Sequence, residues 1–401
     1  MNNAASILVI NAGSSSIKFK VYAVNLSIRL QGELEGIGSS PHVTATDARG
    51  AKVIDQSWQE ATSVHDIIAK LIKWLERHLG EKRLVAIGHR VALGGLDHSG
   101  PVVITPSVMN KLRALVPLAP MHQPRNLEPI ESLHRLHPHI PQVACFDTAF
   151  HRTVPEIASL YGLPRALSEA GARRYGFHGL SYEYISGRLG ELDPRAAAGR
   201  TIVAHLGSGS SLCAMKNGRS IATTMGFSPL SGLVMATRPG EIDAGLMIWL
   251  QREKGMSVDQ IEAMLYHDCG LMGVSGASAD MRELLTSADP HAKQAIDLFV
   301  YRAVREIGSL VAALGGLDAL VFTAGIGEHA APIRAAICEL CAWLGLRLDA
   351  AGNAKGAGRI SRDASDVAVW VVPTDEERMV ATHTSTLAFS MPANTSETIH
   401  D

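Results

Sequence analysis

The sequence predicts an α/β protein made of two similar lobes. Three observations predict it. A Gly/Ser loop between two apolar strands occurs twice: Ile7-Leu8-Val9-Ile10-Asn11-Ala12-Gly13-Ser14-Ser15-Ser16 runs into Ile17-Lys18-Phe19, and Thr201-Ile202-Val203-Ala204-His205-Leu206-Gly207-Ser208-Gly209-Ser210-Ser211 runs into Leu212. Strand and helix patterns mix through both halves, with no repeat shorter than half the chain. A length of 401 residues is long for one core and suits two. The expected division is a first lobe over 1–150, rejoined by a C-terminal helix at about 377–401, and a second lobe over 151–376, with a hinge near 150.

Each element follows from its pattern. The strands around Leu8 and Phe19 open the first lobe. Ile67, Ile68, Leu71, Ile72 and Leu75 fall on one face of a helix spanning about 63–79. A strand at 84–88 leads into His89-Arg90, short helices follow near 107–115 and 126–136, and a strand at 142–146 ends at Asp147. A Pro/Gly-containing connector at 155–164 opens the second lobe. Helices are expected at 182–192, 241–253, 258–266 and 292–314. A buried strand at 320–323 runs into Ala324-Gly325-Ile326-Gly327-Glu328, then a helix at 332–344, a strand at 367–372 and a final helix at 375–387 that returns to the first lobe.

Backbone N–H groups in a Gly/Ser turn converge on one concavity that suits phosphate oxygens, and small side chains allow close approach. Either loop alone is also an ordinary hairpin turn; a matched pair favours two lobes facing one nucleotide. Neither copy is a Walker loop, since G-x-x-x-x-G-K-[ST] is absent. Neither is a Rossmann fingerprint, since a strand follows the loop.

Composition excludes several classes. The chain is 46% hydrophobic and 19% charged with a net charge of −2, as in a soluble protein with no electrostatic footprint for nucleic acid or an anionic membrane. No apolar run approaches the roughly 18 residues of a membrane span. Cys145, Cys213, Cys269, Cys338 and Cys341 form an odd, scattered set that argues for reduced thiols in a cytoplasmic protein. Cys338 and Cys341 form a C-x-x-C better read as two small core residues than as a redox or zinc pair. Asn394-Thr395-Ser396 is a glycosylation sequon with no secretion signal to support its use.

Phosphoryl transfer needs cations around the moving group and a carboxylate for magnesium. Candidates stand where strands end: Arg90, Asp147, His178, Arg238, Glu376 and Glu377, with His122 in the Pro-bracketed Ala119-Pro120-Met121-His122-Gln123-Pro124. Each has an ordinary alternative. An arginine can be a surface ion pair, Asp147 a turn cap, Asp375 and Glu376 helix-start acids, and His178 or His122 a structural hydrogen bonder.

Together the motifs resemble the acetate kinase family of acyl kinases. The stretches are VINAGSSSIKF (9–19), GHRV (88–91), APMHQP (119–124), FDTAFH (146–151), RRYGFHG (173–179), HLGSGSS (205–211), MGFSPL (225–230), TRPGEID (237–243), GVSGASADMR (273–282), FTAGIGE (322–328) and PTDEER (373–378), in family order over nearly the whole chain. The resemblance implies the duplicated actin-like, ribonuclease H-like fold with an active-site cleft between domains, the C-terminal domain binding nucleotide. It implies reversible transfer of the ATP γ-phosphoryl to a short-chain carboxylate, giving ADP and an acyl phosphate, with Mg2+ (or Mn2+) required and a homodimer as the usual assembly. By position, Asn11 and Glu376 match metal ligands and Asp147 the active-site acid. Arg90 and Arg238 match the arginines that bind carboxylate and phosphoryl. His178 matches the histidine at the transition state and His122 a supporting one. Lys18, His205, Leu206, Gly207, Ser208 and Gly209 match phosphate-binding positions. Asp280, Met281 and Arg282, with Gly325, Ile326, Gly327, Glu328 and His329, match the adenosine site. Ala92, Met121, Phe177 and Pro229 match the surroundings of the acyl methyl.

The physics agrees with these roles. Acetate is already ionised at neutral pH, so no strong base is needed and Asp147 reads as an orienting or metal-linked carboxylate. The cost is bringing an anion against the ATP tail, which two arginines and magnesium offset. The chain departs from the usual pattern at Ala92 (commonly Val), Leu93 (His), Met121 (Leu), Arg125 (Pro), Ser208 (Asn), Ala222 (Asp) and Ser231 (Glu). Ala92 removes two methyl carbons beside the acyl group and favours propionate as an alternative substrate. A non-enzymatic nucleotide-dependent scaffold on the same fold is the remote alternative.

Overall fold

The computed structural model describes residues 4–13, 16–37, 39–58 and 63–390. Ser14 and Ser15 of the first loop, the sequon at Asn394 and the expected helical residues beyond 390 lie outside the described residues. The chain divides into two compact units, Met1–Ala149 with Glu376–Asp401, and Phe150–Asp375.

The first unit holds one sheet of β1 (Ala5–Ala12), β2 (Ile17–Ala23), β3 (Ile28–Glu35), β4 (His42–Asp47), β5 (Lys52–Ser57), β6 (Arg83–Val91), β7 (Val102–Val103) and β8 (Gln142–Phe146), in the order β5-β4-β3-β2-β1-β6-β8-β7. Ile7, Leu8, Val9 and Ile10 are buried without interruption, which puts β1 at the centre of the sheet, covered on both faces. β1 to β5 form an antiparallel meander, while β6 runs parallel to β1 and β8 parallel to β6. Helix Val64–Leu79 starts at a capping box between Ser63 and Asp66 and buries Ile67, Ile68, Leu71, Ile72, Leu75 and Leu79. Helix Glu376–Ser390 also belongs to this unit. It lies so close to β6 that a side chain at Gly88 would run into Thr384 and Val380.

The second unit holds β9 (Arg200–Leu206), β10 (Ser210–Lys216), β11 (Arg219–Thr223), β12 (Ala319–Thr323), β13 (Gly358–Arg359) and β14 (Ala368–Val371), in the order β11-β10-β9-β12-β14-β13. β9 to β11 are antiparallel, β12 is parallel to β9 and β14 parallel to β12. The five strands β11-β10-β9-β12-β14 therefore repeat the order and directions of β3-β2-β1-β6-β8. This is the duplicated actin-like plan, and in each copy the Gly/Ser loop joins the central strand to its antiparallel neighbour. Helix Pro290–Leu314 packs Ala295, Phe299, Ala303, Ile307 and Leu310 into the second core.

Some elements differ from expectation. β3, β4 and β5 are not legible in the sequence, because their polar alternation suits a half-exposed sheet wing. The helix expected at 332–344 stops at Leu340 and tightens into a 3₁₀ turn over Ala342–Leu344. Ala324–His329 is itself a helix, entered through Ala324 at φ 65°. The helix expected at 126–136 starts earlier: His122 stands at the N-cap position of helix Gln123–Leu136 without a side-chain capping hydrogen bond, and the first turn takes in Gln123 and Pro124. All five cysteines are unpaired, and burial pushes the Cys338 and Cys341 thiols up to about 12 and about 11. Among the described residues no helix is long and apolar enough to cross a membrane.

Candidate functional site

Register builds the cluster in the first unit. Asn11 pairs with Arg90 across parallel strands β1 and β6, and with Lys18 across the β1–β2 hairpin. Asp147 follows the neighbouring strand β8, so three polar side chains stand at the C-terminal ends of adjacent parallel strands, where α/β sheets place ligands. Arg90 Nε and Nη2 donate to Asp147 Oδ1 and Oδ2 at 3.0 and 2.5 Å. Its Nη1 donates to Asn11 Oδ1 at 3.1 Å. Asp147 is 1% exposed. Among the described residues three of the five guanidinium N–H groups are thus spent, and one remains on each terminal nitrogen.

Helix Glu376–Ser390 brings two further carboxylates. Glu376 Oε2 lies 3.7 Å from Arg90 Nε. Glu377 accepts from the Asn11 amide at 3.3 Å and pairs with Lys20 at 3.2 Å. Burial, reinforced by the negative charges of Asp147 and Glu377 and opposed by Arg90, pushes the Glu376 carboxyl up to about 7. Burial acts on Glu377 in the same sense, but Lys20 and Asn11 outweigh it and hold that carboxyl below its usual range. Burial disfavours the Arg90 charge, and Asp147 and Glu376 more than restore it.

The residues of this unit expected around the acyl group have their own support. Asn126 accepts from the Ala92 N–H and donates to the Ala12 carbonyl, both at 2.9 Å, tying the end of β1 to the turn after β6. Ala92 is buried, while Met121 and His122 sit half-buried at the start of helix Gln123–Leu136.

In the second unit His205 is the penultimate residue of β9, paired with Ser211 on β10 and Thr323 on β12. His205 Nδ1 meets Ser181 Oγ at 2.8 Å, and its ring stacks on His178 at 4.1 Å. His178 Nδ1 meets Ser211 Oγ at 2.9 Å. A Cβ built on Gly209 would lie 2.7 Å from Arg238 Nη2 and 3.2 Å from His178 Nε2. The glycine therefore lets the loop, the arginine and the histidine share one place. Arg238 Nη1 donates to the Pro229 carbonyl at 2.8 Å, and Ala236 N–H to Ser208 O at 3.1 Å. Phe177 is buried with Met225 and Met235. A Cβ on Gly207 would lie 3.6 Å from Ala324 Cβ, which sets the loop beside the start of helix Ala324–His329. Glu328 Oε1 accepts from the N–H groups of Ala324 and Thr374 at 2.8 and 3.2 Å. Asp280 and Arg282 stand apart: they pair with each other at 2.5 Å on an exposed helix start, and no hydrogen bond among the described residues joins them to the loop.

The oxygen-only set of Asn11, Asp147, Glu376 and Glu377 fits a hard cation such as Mg2+. The raised Glu376 carboxyl owes most to burial, with Asp147 and Glu377 adding to it. Among the described residues no group of three or more His, Cys, Asp or Glu side chains is arranged as a metal site. Magnesium commonly takes one or two protein carboxylates and completes its shell with phosphate oxygens and water.

The profile of the acetokinase family matches residues 6–382. The chain belongs to the acetokinase family. An acetate kinase of Rhodopseudomonas palustris is 54% identical over 390 residues, covering 95% of this chain and 98% of that one. An acetate kinase of Rhizobium meliloti is 50% identical over 388 residues, covering 95% and 98%. Among solved structures, a propionate kinase from Francisella tularensis superposes with a TM-score of 0.90 at 37% identity, covering 95% of this chain and 99% of that one. Porphyromonas gingivalis acetate kinase gives 0.87 at 35% identity, covering 96% and 99%.

Within this acetokinase-family chain, sequence reasoning missed three supports. Asn126 is one. Arg334 is another: it is 1% exposed and donates to the Gly327 and Glu328 carbonyls at 3.0 and 2.8 Å, fixing helix Ala324–His329. Arg174 is the third: its Nη1 donates to the Thr224 and Met225 carbonyls at 3.0 and 3.1 Å, holding the strand end that leads to Pro229. None has a local signal, because each is recognised only by groups that folding brings to it. Arg174 alone lies inside a quoted motif.

Proposed function

We propose that this protein reversibly phosphorylates acetate with the γ-phosphoryl of ATP, giving acetyl phosphate and ADP by direct in-line transfer. The observation that carries the mechanism is the two-pronged grip of buried Asp147 on Arg90. Both Asp147 oxygens are engaged by the guanidinium, so Asp147 acts as the group that aims Arg90 and not as a base. No base is needed. The acetate oxygen forms the bond to Pγ as the bond from Pγ to the ADP oxygen breaks, and no proton is gained or lost. Arg90 offers its two remaining N–H groups to the carboxylate. Arg238 and His178 stabilise the transferring phosphoryl, while Lys18 and the backbone of His205–Gly209 hold phosphate oxygens. Asp280–Arg282 and Gly325–His329 bind the adenosine. Asn11 and Glu376 would hold Mg2+, which supplies charge neutralisation for the phosphate tail when bound.

Acetate as preferred acid rests on the family and on the 54% identical relative. Ala92 favours a second reading, propionate, because this buried residue carries two methyl carbons fewer than the valine common at the matching family position beside the acyl group. Helix Ala244–Lys254 supports a homodimer: it buries no residue, and Leu246, Ile248 and Trp249 are 43%, 51% and 44% exposed. A second copy of the chain covers that face in this reading. Five free thiols favour the cytoplasm.

The test is hydroxylamine trapping of acyl phosphate from Mg-ATP with formate, acetate, propionate and butyrate. A maximum at acetate is expected. A maximum at propionate transfers the assignment to the second reading, and no product with any acid despite ATP binding leaves the scaffold.

A further inference from the structure

His178 and Phe177 are held by a chain of buried groups that the reaction itself does not use. The Phe177 carbonyl can only accept, and its partner at 2.9 Å is His151 Nε2. Nε2 therefore carries the proton. The other ring nitrogen, Nδ1, faces Ser220 Oγ at 2.9 Å. With His151 neutral, as its deep burial demands, Nδ1 is bare and accepts from the serine O–H. Ser220 then has only lone pairs left, and Cys213 Sγ stands 3.3 Å away with a proton to give. Burial keeps both ends in these states, holding His151 down at about 4 and pushing the Cys213 thiol up to about 12. The donors run one way: Cys213 S–H to Ser220, Ser220 O–H to His151, His151 Nε2–H to the Phe177 carbonyl. His151 is 5% exposed, and Cys213 and Ser220 are 0%.

What this chain holds is a strained turn. His178 lies at φ 58°, ψ 23°, a left-handed conformation that L side chains adopt only when their surroundings impose it. Gly176, at φ 74°, lies flat against the His151 ring, where a Cβ would come within 2.5 Å of it. The His151 ring thus fills the floor under Gly176 while its Nε2–H pins Phe177, on either side of one peptide unit. His178 follows directly, with its ring on Ser211 and against Gly209.

We propose that His151, oriented by Ser220 and Cys213, is a positioning residue that fixes the Gly176–His178 turn, and with it both the acyl-side Phe177 and the phosphoryl-side His178. The inference rests on the reading above for the roles of those two residues. Three variants test it: His151→Leu, which removes both hydrogen bonds; His151→Gln, which keeps a donor for the carbonyl and an acceptor for the serine; and Ser220→Ala, which frees Nδ1 to take the proton.

Active-site titration, kcat, both KM values and the acetate-to-propionate ratio are measured on each, together with 15N-histidine NMR of the whole protein. His151→Leu is expected to lower kcat by about 100-fold, the scale of an ångström misplacement, to change the acid ratio and to leave the ATP KM within about 3-fold. His151→Gln restores kcat to within about 10-fold of the parent, and Ser220→Ala falls between the two. NMR of the parent gives His151 as the Nε2–H tautomer from pH 5 to 8. A His151→Leu enzyme that loses only active sites, with kcat per site and acid ratio unchanged, overturns the proposal. So does a glutamine variant that folds but matches leucine, or an Nδ1–H tautomer in the parent. A parent that makes no acyl phosphate yet shows the Nε2–H tautomer overturns the functional reading instead.

Discussion

Replacing Gly209 with alanine separates catalytic geometry from stability. Gly209 does not occupy the left-handed region, so the backbone accepts a Cβ without strain. The Cβ would stand 2.7 Å from Arg238 Nη2, and ordinary contact begins at 3.4 Å, so the guanidinium must retreat by about 0.7 Å. The displaced atom is the tip of a flexible side chain, and stability should change by less than about 1 kcal/mol. The rate should not be spared. A charged group displaced by most of an ångström at the reacting centre costs up to about 100-fold, so kcat for acetyl phosphate formation should fall roughly 10- to 100-fold while the ATP KM moves little. The assay is hydroxylamine trapping with saturating Mg-ATP and varied acetate, beside a thermal melt of the same sample. A folded Gly209→Ala enzyme with parental kcat would refute the convergence of Arg238 and His178 on the loop. A rate loss matched by a collapsed melt would refute the separation of geometry from fold.

Three further outcomes follow from the same geometry. Asp147→Ala should abolish activity and lower unfolding stability by about 3 kcal/mol in urea titrations, since it strips a largely buried guanidinium of its two-pronged partner; an unchanged midpoint is incompatible with that burial. His89 and His151 are both pushed down from 6.5 to about 4 by burial, so the folded state refuses protons that the unfolded chain takes up. Their contribution is therefore constant above about 6.5, falls as pH drops toward about 4 and levels off below, by up to ~3 kcal/mol each. Urea midpoints between pH 7 and 4.5 should fall less steeply in His89→Gln than in the parent, and equal slopes would be evidence against a neutral His89. Ala92→Val should reduce the propionate-to-acetate ratio of kcat/KM by about 10-fold, one methylene being worth roughly 1–3 kcal/mol in an apolar pocket; an unchanged ratio removes Ala92 from the acyl wall.

The elements readable in the sequence are those with a strong local cause. The strand ending at Phe146 follows from a short apolar run and the helix Val64–Leu79 from apolar residues recurring on one face, signals that act within a few residues. The β3–β5 wing escaped because a strand exposed on one side and paired at its edge has no signature beyond weak alternation. Arg90, Asp147, His178 and Arg238 were legible as types at strand and helix ends. Their geometry was not. Asn11 donates to Glu377 across 366 positions, leaving Glu376 to face Arg90, and no local pattern distinguishes those two adjacent acids.

The sequence by itself determined the duplication, the two Gly/Ser loops, the order of the motifs and the family, because these are written in residue identity and spacing. Only the tertiary structure decided that both Asp147 oxygens are spent on Arg90, that Gly209 stands under Arg238 and His178, and that His151 carries its proton toward Phe177. Those outcomes depend on which buried donor meets which buried acceptor. A hydrogen bond left unmade in the interior costs more than the chain can spare, so the pairing is set by the whole fold and by no stretch of it alone.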